Sequence, residues 1–119
     1  MPVDPAYRDQ VESQLDAVVP ELKLKPMFGG LGIYSGPHFF ALIGDDTLYF
    51  KVDDLNRPDF ESRGMEPFRP FAEKASMNYY RVPDDVLHDP GMLRDWSTRA
   101  IDVAKRKSKS QKPRRKKSP

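Results

Sequence analysis

The sequence contains no cysteine. That excludes disulfide scaffolds, thiolate zinc sites and cysteine nucleophiles, and it fits a reducing compartment. Histidine is scarce: His38 and His88 are the only two, far apart in the chain, with no nucleophile motif beside either. A histidine general base needs such a partner and an orienting group. Long apolar runs are missing as well. The longest, Phe39 to Ile43, falls far short of the roughly 20 residues of a membrane-spanning helix. The first sixteen residues carry Asp4, Asp9, Glu12 and Asp16 in place of the basic and then apolar regions of a signal peptide. These absences predict a soluble, cytoplasmic protein without a membrane partner. Apolar residues make up only 38% of the chain, below the roughly 45–50% usual for globular proteins, so part of it contributes nothing to a core.

Charge shows which part. All 18 acidic residues lie at or before Asp102, and from Lys105 onward there are nine basic residues and no acidic one. Residues 1–104 hold eleven basic against eighteen acidic residues, a net of −7, while residues 105–119 carry +9. The overall +2 averages an acidic body with a basic arm. The arm has no aliphatic or aromatic residue large enough to bury, so it is expected to be disordered. The length of 119 residues then predicts one domain, residues 1–104, followed by the tail 105–119.

Along the body, Asp4-Pro5 supplies a helix cap followed by proline at the first turn. Tyr7, Val11, Leu15, Val18 and Leu22 follow at helical spacing, and Pro20 sets the stop near Val19. Leu22 to Phe28, interrupted by Gly29, Gly30 and Gly32 and resuming at Ile33-Tyr34, reads as a first strand region. Ser35-Gly36-Pro37 is a turn, His38 to Ile43 a buried strand, Gly44-Asp45-Asp46 a hairpin connection, and Thr47 to Val52 an alternating strand. Asp53 to Arg63 is a short helix anchored by Phe60 and ended by Gly64. Strands follow near Pro67 to Phe71 and Met77 to Val82, then a helical turn at Pro83-Asp84-Asp85. A final helix starts at Asp89-Pro90, with Leu93, Trp96, Ala100 and Val103 as its stripe. The order α-β-β-β-α-β-β-α predicts an α+β, two-layer sandwich: an antiparallel sheet with helices on one face.

Several phrases occur together in order: Met27-Phe28-Gly29-Gly30, Gly32-Ile33-Tyr34, Phe39-Phe40-Ala41-Leu42-Ile43, Leu48-Tyr49-Phe50-Lys51-Val52-Asp53, Pro67-Phe68, Met77-Asn78-Tyr79-Tyr80-Arg81-Val82-Pro83 and the helix Trp96…Ala100…Ala104. From Leu15 to Ala104 this set closely resembles the TfoX N-terminal domain family of competence regulators. The resemblance implies a two-layer α+β regulatory domain, a bacterial setting, a link to regulation of DNA transformation or transcription, and no catalytic residues or cofactor to carry over. Regulators of this type have a second, helical C-terminal domain; here the basic segment stands in that place. An arginine often precedes the Met-Phe-Gly-Gly phrase in the family, whereas this sequence has Lys25-Pro26. Within the phrases the motif residues are Met27, Phe28, Gly29, Gly30, Gly32, Tyr34, Tyr49, Lys51, Asp53, Tyr80, Pro83 and Trp96.

The candidate chemistry is sparse. Gly29-Gly30-Leu31-Gly32 lacks the following helix and Lys-Ser/Thr pair of a phosphate loop, which makes it a turn or bulge. Asp45-Asp46, Asp53-Asp54 and Asp84-Asp85 could serve magnesium, yet each falls where a turn or helix start uses Asp for local hydrogen bonds. No metal or cofactor is therefore expected. His38 is expected at a strand end and His88 at the end of a short helix. Most aromatics are assigned to the core, with Tyr34, Tyr49 and Tyr80 as a partly exposed contact patch, because a body of −7 argues against a base-stacking sheet. The tail is the strongest signal. Lys105, Arg106, Lys107, Lys109, Lys112, Arg114, Arg115, Lys116 and Lys117 form an arm suited to phosphate backbones, without sequence readout. The resulting expectation is a non-catalytic regulatory or binding domain whose tail contacts nucleic acid non-specifically, with an unidentified protein partner or a homodimer for the body. Two alternatives stand beside it: an enzyme using a carboxylate and tyrosine pocket, and a dimerisation module pairing through a strand edge.

Overall fold

A computed structural model describes residues 4–27, 30–71 and 74–117, with side chains for all of these except 70–71, 74–77 and 108–117. Helix α1 spans Pro5–Asp16. The Asp4 side chain accepts from the Ala6 N–H at 3.1 Å, and Val11 and Leu15 are buried, as the periodicity predicts. Strands β1 (Leu22–Met27), β2 (Gly30–Ser35), β3 (His38–Gly44) and β4 (Thr47–Lys51) follow as an antiparallel meander. Helix α2 (Arg57–Glu61), strands β5 (Pro67–Phe71) and β6 (Lys74–Arg81), and helices α3 (Asp84–Leu87) and α4 (Pro90–Lys117) complete the chain. The sheet order is β1-β2-β3-β4-β6-β5, and every pairing is antiparallel. The fold is α+β.

The meander has four strands where the sequence predicts three. The glycine cluster does not interrupt one strand. It separates two that pair, with Met27 opposite Gly30. Phe28 and Gly29 lie outside the described residues. Gly30 is needed for close approach: a Cβ there would stand 2.3 Å from the Ile43 carbonyl oxygen.

All four helices contribute to one core on one face of the sheet. Val11 and Leu15 of α1, Phe60 of α2, Val86 and Leu87 of α3, and Leu93 and Trp96 of α4 join Ile33, Phe50 and Tyr80 from the strands. Phe60 meets Trp96 edge-on, with ring centroids 4.7 Å apart. The Tyr80 hydroxyl donates to Glu61 Oε2 at 2.8 Å. Asn56, buried between β4 and α2, accepts from the Asp53 N–H at 2.8 Å and donates to the Lys51 carbonyl at 3.2 Å, which fixes the end of β4. Gly64 ends this segment with φ of +74°, and Asp89 caps α4 through the Gly91 and Met92 N–H groups.

One irregularity sets which side chains reach the opposite face. Ile33 pairs with Ala41, but Tyr34 pairs with Phe39, so Phe40 is an extra residue in β3. A bulge of this kind shifts the alternation by one. Phe40 therefore joins Ala41 in the core, both fully buried, while Phe39 turns to the outer face.

Ala104 is the last core residue, yet α4 continues through Lys117. Lys, Arg and Gln up to Lys112 are good helix formers, and residues that extend an existing helix do not bear the nucleation cost, whereas Pro113 removes a backbone donor and opposes the last turns.

Candidate nucleic-acid interface

The acidic pairs are kept apart and are occupied by local contacts. Asp45 and Asp46 form the β3–β4 turn, each with φ of +55°, and Asp46 accepts from the Asp4 N–H at 2.7 Å. Asp54 pairs with Arg57, and Asp85, in the first turn of α3, with Arg63. Among the described residues no group of three or more acidic or histidine side chains could hold a metal ion. His38 opens β3 opposite Ser35. His88 ends α3, its ring nitrogens 2.9 Å from the Asp84 carbonyl and 3.1 Å from Gln10 Nε2. Among the described residues no helix is long and apolar enough to cross a membrane.

The root of the arm is fixed to the body. Arg106 Nε and Nη2 both donate to Asp53 Oδ2, at 3.0 and 2.8 Å. Burial alone would raise the Asp53 carboxyl, but Arg106 and the Leu55 and Asn56 contacts outweigh it and hold the group below the usual carboxylate range. Two predicted residues with separate assignments, Asp53 of the family phrases and Arg106 of the tail, thus form one contact. Arg106 anchors the arm. Lys105 and Lys107 lie on α4 beyond the core; the side chains of Lys109, Lys112, Arg114, Arg115, Lys116 and Lys117 lie outside the described residues.

The sheet face away from the helices carries the second feature. Tyr34, Phe39, Lys51 and Tyr79 form one row across β2, β3, β4 and β6, with Lys51 opposite Tyr79. Tyr34 and Phe39 have ring centroids 5.1 Å apart, and Phe39 and Tyr79 5.8 Å. Lys51 Nζ lies 5.3 Å from the Phe39 centroid and 5.6 Å from that of Tyr79, within cation–π range. Lys25, on β1, lies 5.2 Å from the Tyr34 centroid. A parallel row runs Gly32, Leu42, Tyr49, Arg81 through successive pairings. Phe68 of β5 extends it, 4.8 Å from Tyr49. Beside it opens a cleft of about 260 Å³ lined by Tyr49, Phe68, Arg69 and Arg81, together with Asp45 and Glu66. Gly32 lets its neighbours close over β2: a Cβ there would meet Met27 Cε at 2.6 Å and Phe39 Cε1 at 3.2 Å.

The expected patch of Tyr34, Tyr49 and Tyr80 is corrected in one member. Tyr80 points into the core, 2% exposed, and Tyr79 takes the outer position. Burial first, and the Tyr34 hydroxyl second, push the Tyr79 phenol up to about 12. Burial, and then the nearby Lys107, lower the Lys51 amine. Of the other family-phrase residues, Met27, Gly32, Tyr34, Tyr49 and Lys51 share the outer face. Gly30 supports strand packing, Trp96 lies in the core, and Pro83 precedes α3 as its N-cap. No sequence signal separates Tyr79 from Tyr80; the β4–β6 register does.

A family model described as the TfoX N-terminal domain matches residues 13–104. A search of curated proteins finds no match. The match spans every strand, together with α2 and α3, and stops at the last core residue of α4.

Proposed function

The chain belongs to the TfoX N-terminal domain family, and on that premise we propose that it is a non-catalytic regulatory module that holds nucleic acid through its basic arm. One observation carries this reading. Nine basic residues and no acidic one occupy residues 105–119, on a helix rooted to the body by the Arg106–Asp53 pair. Such an arm binds phosphates by releasing condensed counterions, without base readout. The acidic residues of the body repel the same backbone, so the arm reaches past the body to make the contact. The link to regulation of DNA transformation or transcription, and the bacterial and cytoplasmic setting, belong to the same proposal.

Fluorescence anisotropy of a labelled duplex against salt tests it. The full chain is compared with one ending at Lys107, which keeps the anchoring Arg106. With five arm charges engaged, the log–log slope is expected near −4 to −5, about −0.9 per phosphate, and it should collapse in the shortened chain. Equal duplex binding by both chains would refute the arm's role.

A further inference from the structure

We propose that the open sheet face is a base-stacking platform for single-stranded nucleic acid. This goes beyond the arm, which contacts phosphates only, and it rests on the reading that nucleic acid is the partner.

The argument starts from where the charges sit. The six strands contain Lys23, Lys25, Lys51, Arg69, Lys74 and Arg81 and no Asp or Glu. The rest of residues 1–104 holds the other five basic residues and all eighteen acidic ones. The net of −7 is therefore the sum of basic strands and strongly acidic helices and connections, of which Asp45 and Glu66 reach the cleft beside Tyr49. The objection to a stacking sheet drawn from whole-body charge does not apply to the row of Tyr34, Phe39, Lys51 and Tyr79, whose strands carry only cations.

The face also has the right chemistry. Tyr34, Phe39, Tyr49 and Tyr79 are half-buried on the sheet face opposite the helical core, which none of the described helices covers. Sheets that bind single strands present aromatic faces to unpaired bases and cations to the backbone. Here the cations lie among the rings, with Lys51 between Phe39 and Tyr79 and Lys25 over Tyr34. A duplex hides its base faces and cannot use these rings. The arm continues α4 past the end of β4, where Arg106 pairs with Asp53, two residues beyond Lys51. Backbone held by the arm can thus feed onto the sheet.

A second copy of the chain fits the surface less well. Face-to-face pairing would gather two copies of Lys25, Lys51 and Arg81, with Asp45 and Glu66 at the cleft edge too few to offset them. Edge pairing is opposed too, since the outer strands carry Lys23, Lys25 and Pro26 in β1 and Pro67 and Pro70 in β5.

The test uses the full chain with a labelled oligothymidylate of about a dozen nucleotides, a duplex of equal length, and polyglutamate as competitor. Removing a stacking ring by Phe39→Ala or Tyr79→Ala should weaken oligothymidylate binding on the order of 5- to 100-fold and leave duplex binding unchanged. Tyr79→Phe should keep the affinity. Backbone NMR shifts on adding the oligonucleotide to the unmutated chain should map to β2, β3, β4 and β6, which guards against variants that fold poorly. Shifts confined to residues 105–119, or unchanged affinity in folded ring variants, would overturn the platform and leave the arm reading standing. Polyglutamate displacing the oligonucleotide from the sheet at equal charge would overturn it in favour of an acidic protein segment. Loss of all binding on neutralising Arg114, Arg115, Lys116 and Lys117 alone would equally overturn it. Absence of binding to either nucleic acid would sink both readings.

Discussion

Gly30 and Gly32 lie two residues apart on β2, and the structure predicts unequal responses to the same substitution. In Gly30→Ala the new methyl would sit 2.3 Å from the Ile43 carbonyl oxygen, a backbone atom that no rotamer change can move. Relief requires β2 and β3 to separate where Leu31 pairs with Ile43. Overpacking costs about 1–3 kcal/mol, and the rigidity of a backbone obstacle places this case near the upper end. The roughly 0.5–1 kcal/mol that alanine gains over glycine in a strand offsets part of it. The net loss, about 2 kcal/mol, should lower the melting temperature by roughly 8–16 °C for a domain of this size. In Gly32→Ala the nearest obstacles are Met27 Cε at 2.6 Å and Sδ at 3.0 Å, the far end of a flexible side chain. Phe39 at 3.2 Å must give slightly. Stability should stay within about 1 kcal/mol of the parent, while the outer surface around Phe39 is rearranged and oligothymidylate binding falls. Thermal melts followed by circular dichroism, with urea titrations, measure both. Parental stability in Gly30→Ala, or a larger loss in Gly32→Ala, would refute the β2–β3 packing described.

Phe60→Ala removes a ring that is 1% exposed and packs edge-on against Trp96, and it should cost about 3–5 kcal/mol in urea unfolding. Tyr80→Phe removes the hydrogen bond to Glu61; because Glu61 remains in contact with water, the loss should be near 1 kcal/mol. The depressed Asp53 carboxyl makes the Arg106 contact pH-dependent. Its stabilisation is present above the unfolded value of 3.8 and is lost as pH falls through the lower folded value. Unfolding free energies of the parent and Arg106→Gln from urea titrations should therefore differ at neutral pH, by about 1 kcal/mol or less for so exposed a pair, and converge in acid.

Local signals in the sequence anticipated much of the fold. The caps at Asp4 and Asp89 are written in side chains that bond their own neighbours, and the stripe through Val11 and Leu15 needs only a helical period. The Thr47 to Val52 alternation gave the correct buried face, with Leu48 and Phe50 inside. What depended on pairing was hidden. The glycines between Met27 and Ile33 read as an interruption, because nothing local says that Met27 faces Gly30 across a hairpin. The run from Phe39 to Ile43 is apolar throughout and carries no period, so it could not show that Phe40 bulges and sends Phe39 outward. Tyr79 and Tyr80 are adjacent and identical, and only the pairing of Lys51 with Tyr79 decides which faces out. Charge was legible along the chain, which revealed the arm. It was not legible by element, which concealed the basic strands beneath a net of −7.

The most direct test of the central claim, that this domain holds nucleic acid, is a salt titration of the full chain against labelled oligothymidylate and duplex DNA. Binding to both is expected, with a steep salt slope on the duplex and a residual preference for the single strand as salt rises, since stacking is not screened as phosphate contacts are. No binding to either near physiological salt would contradict the account.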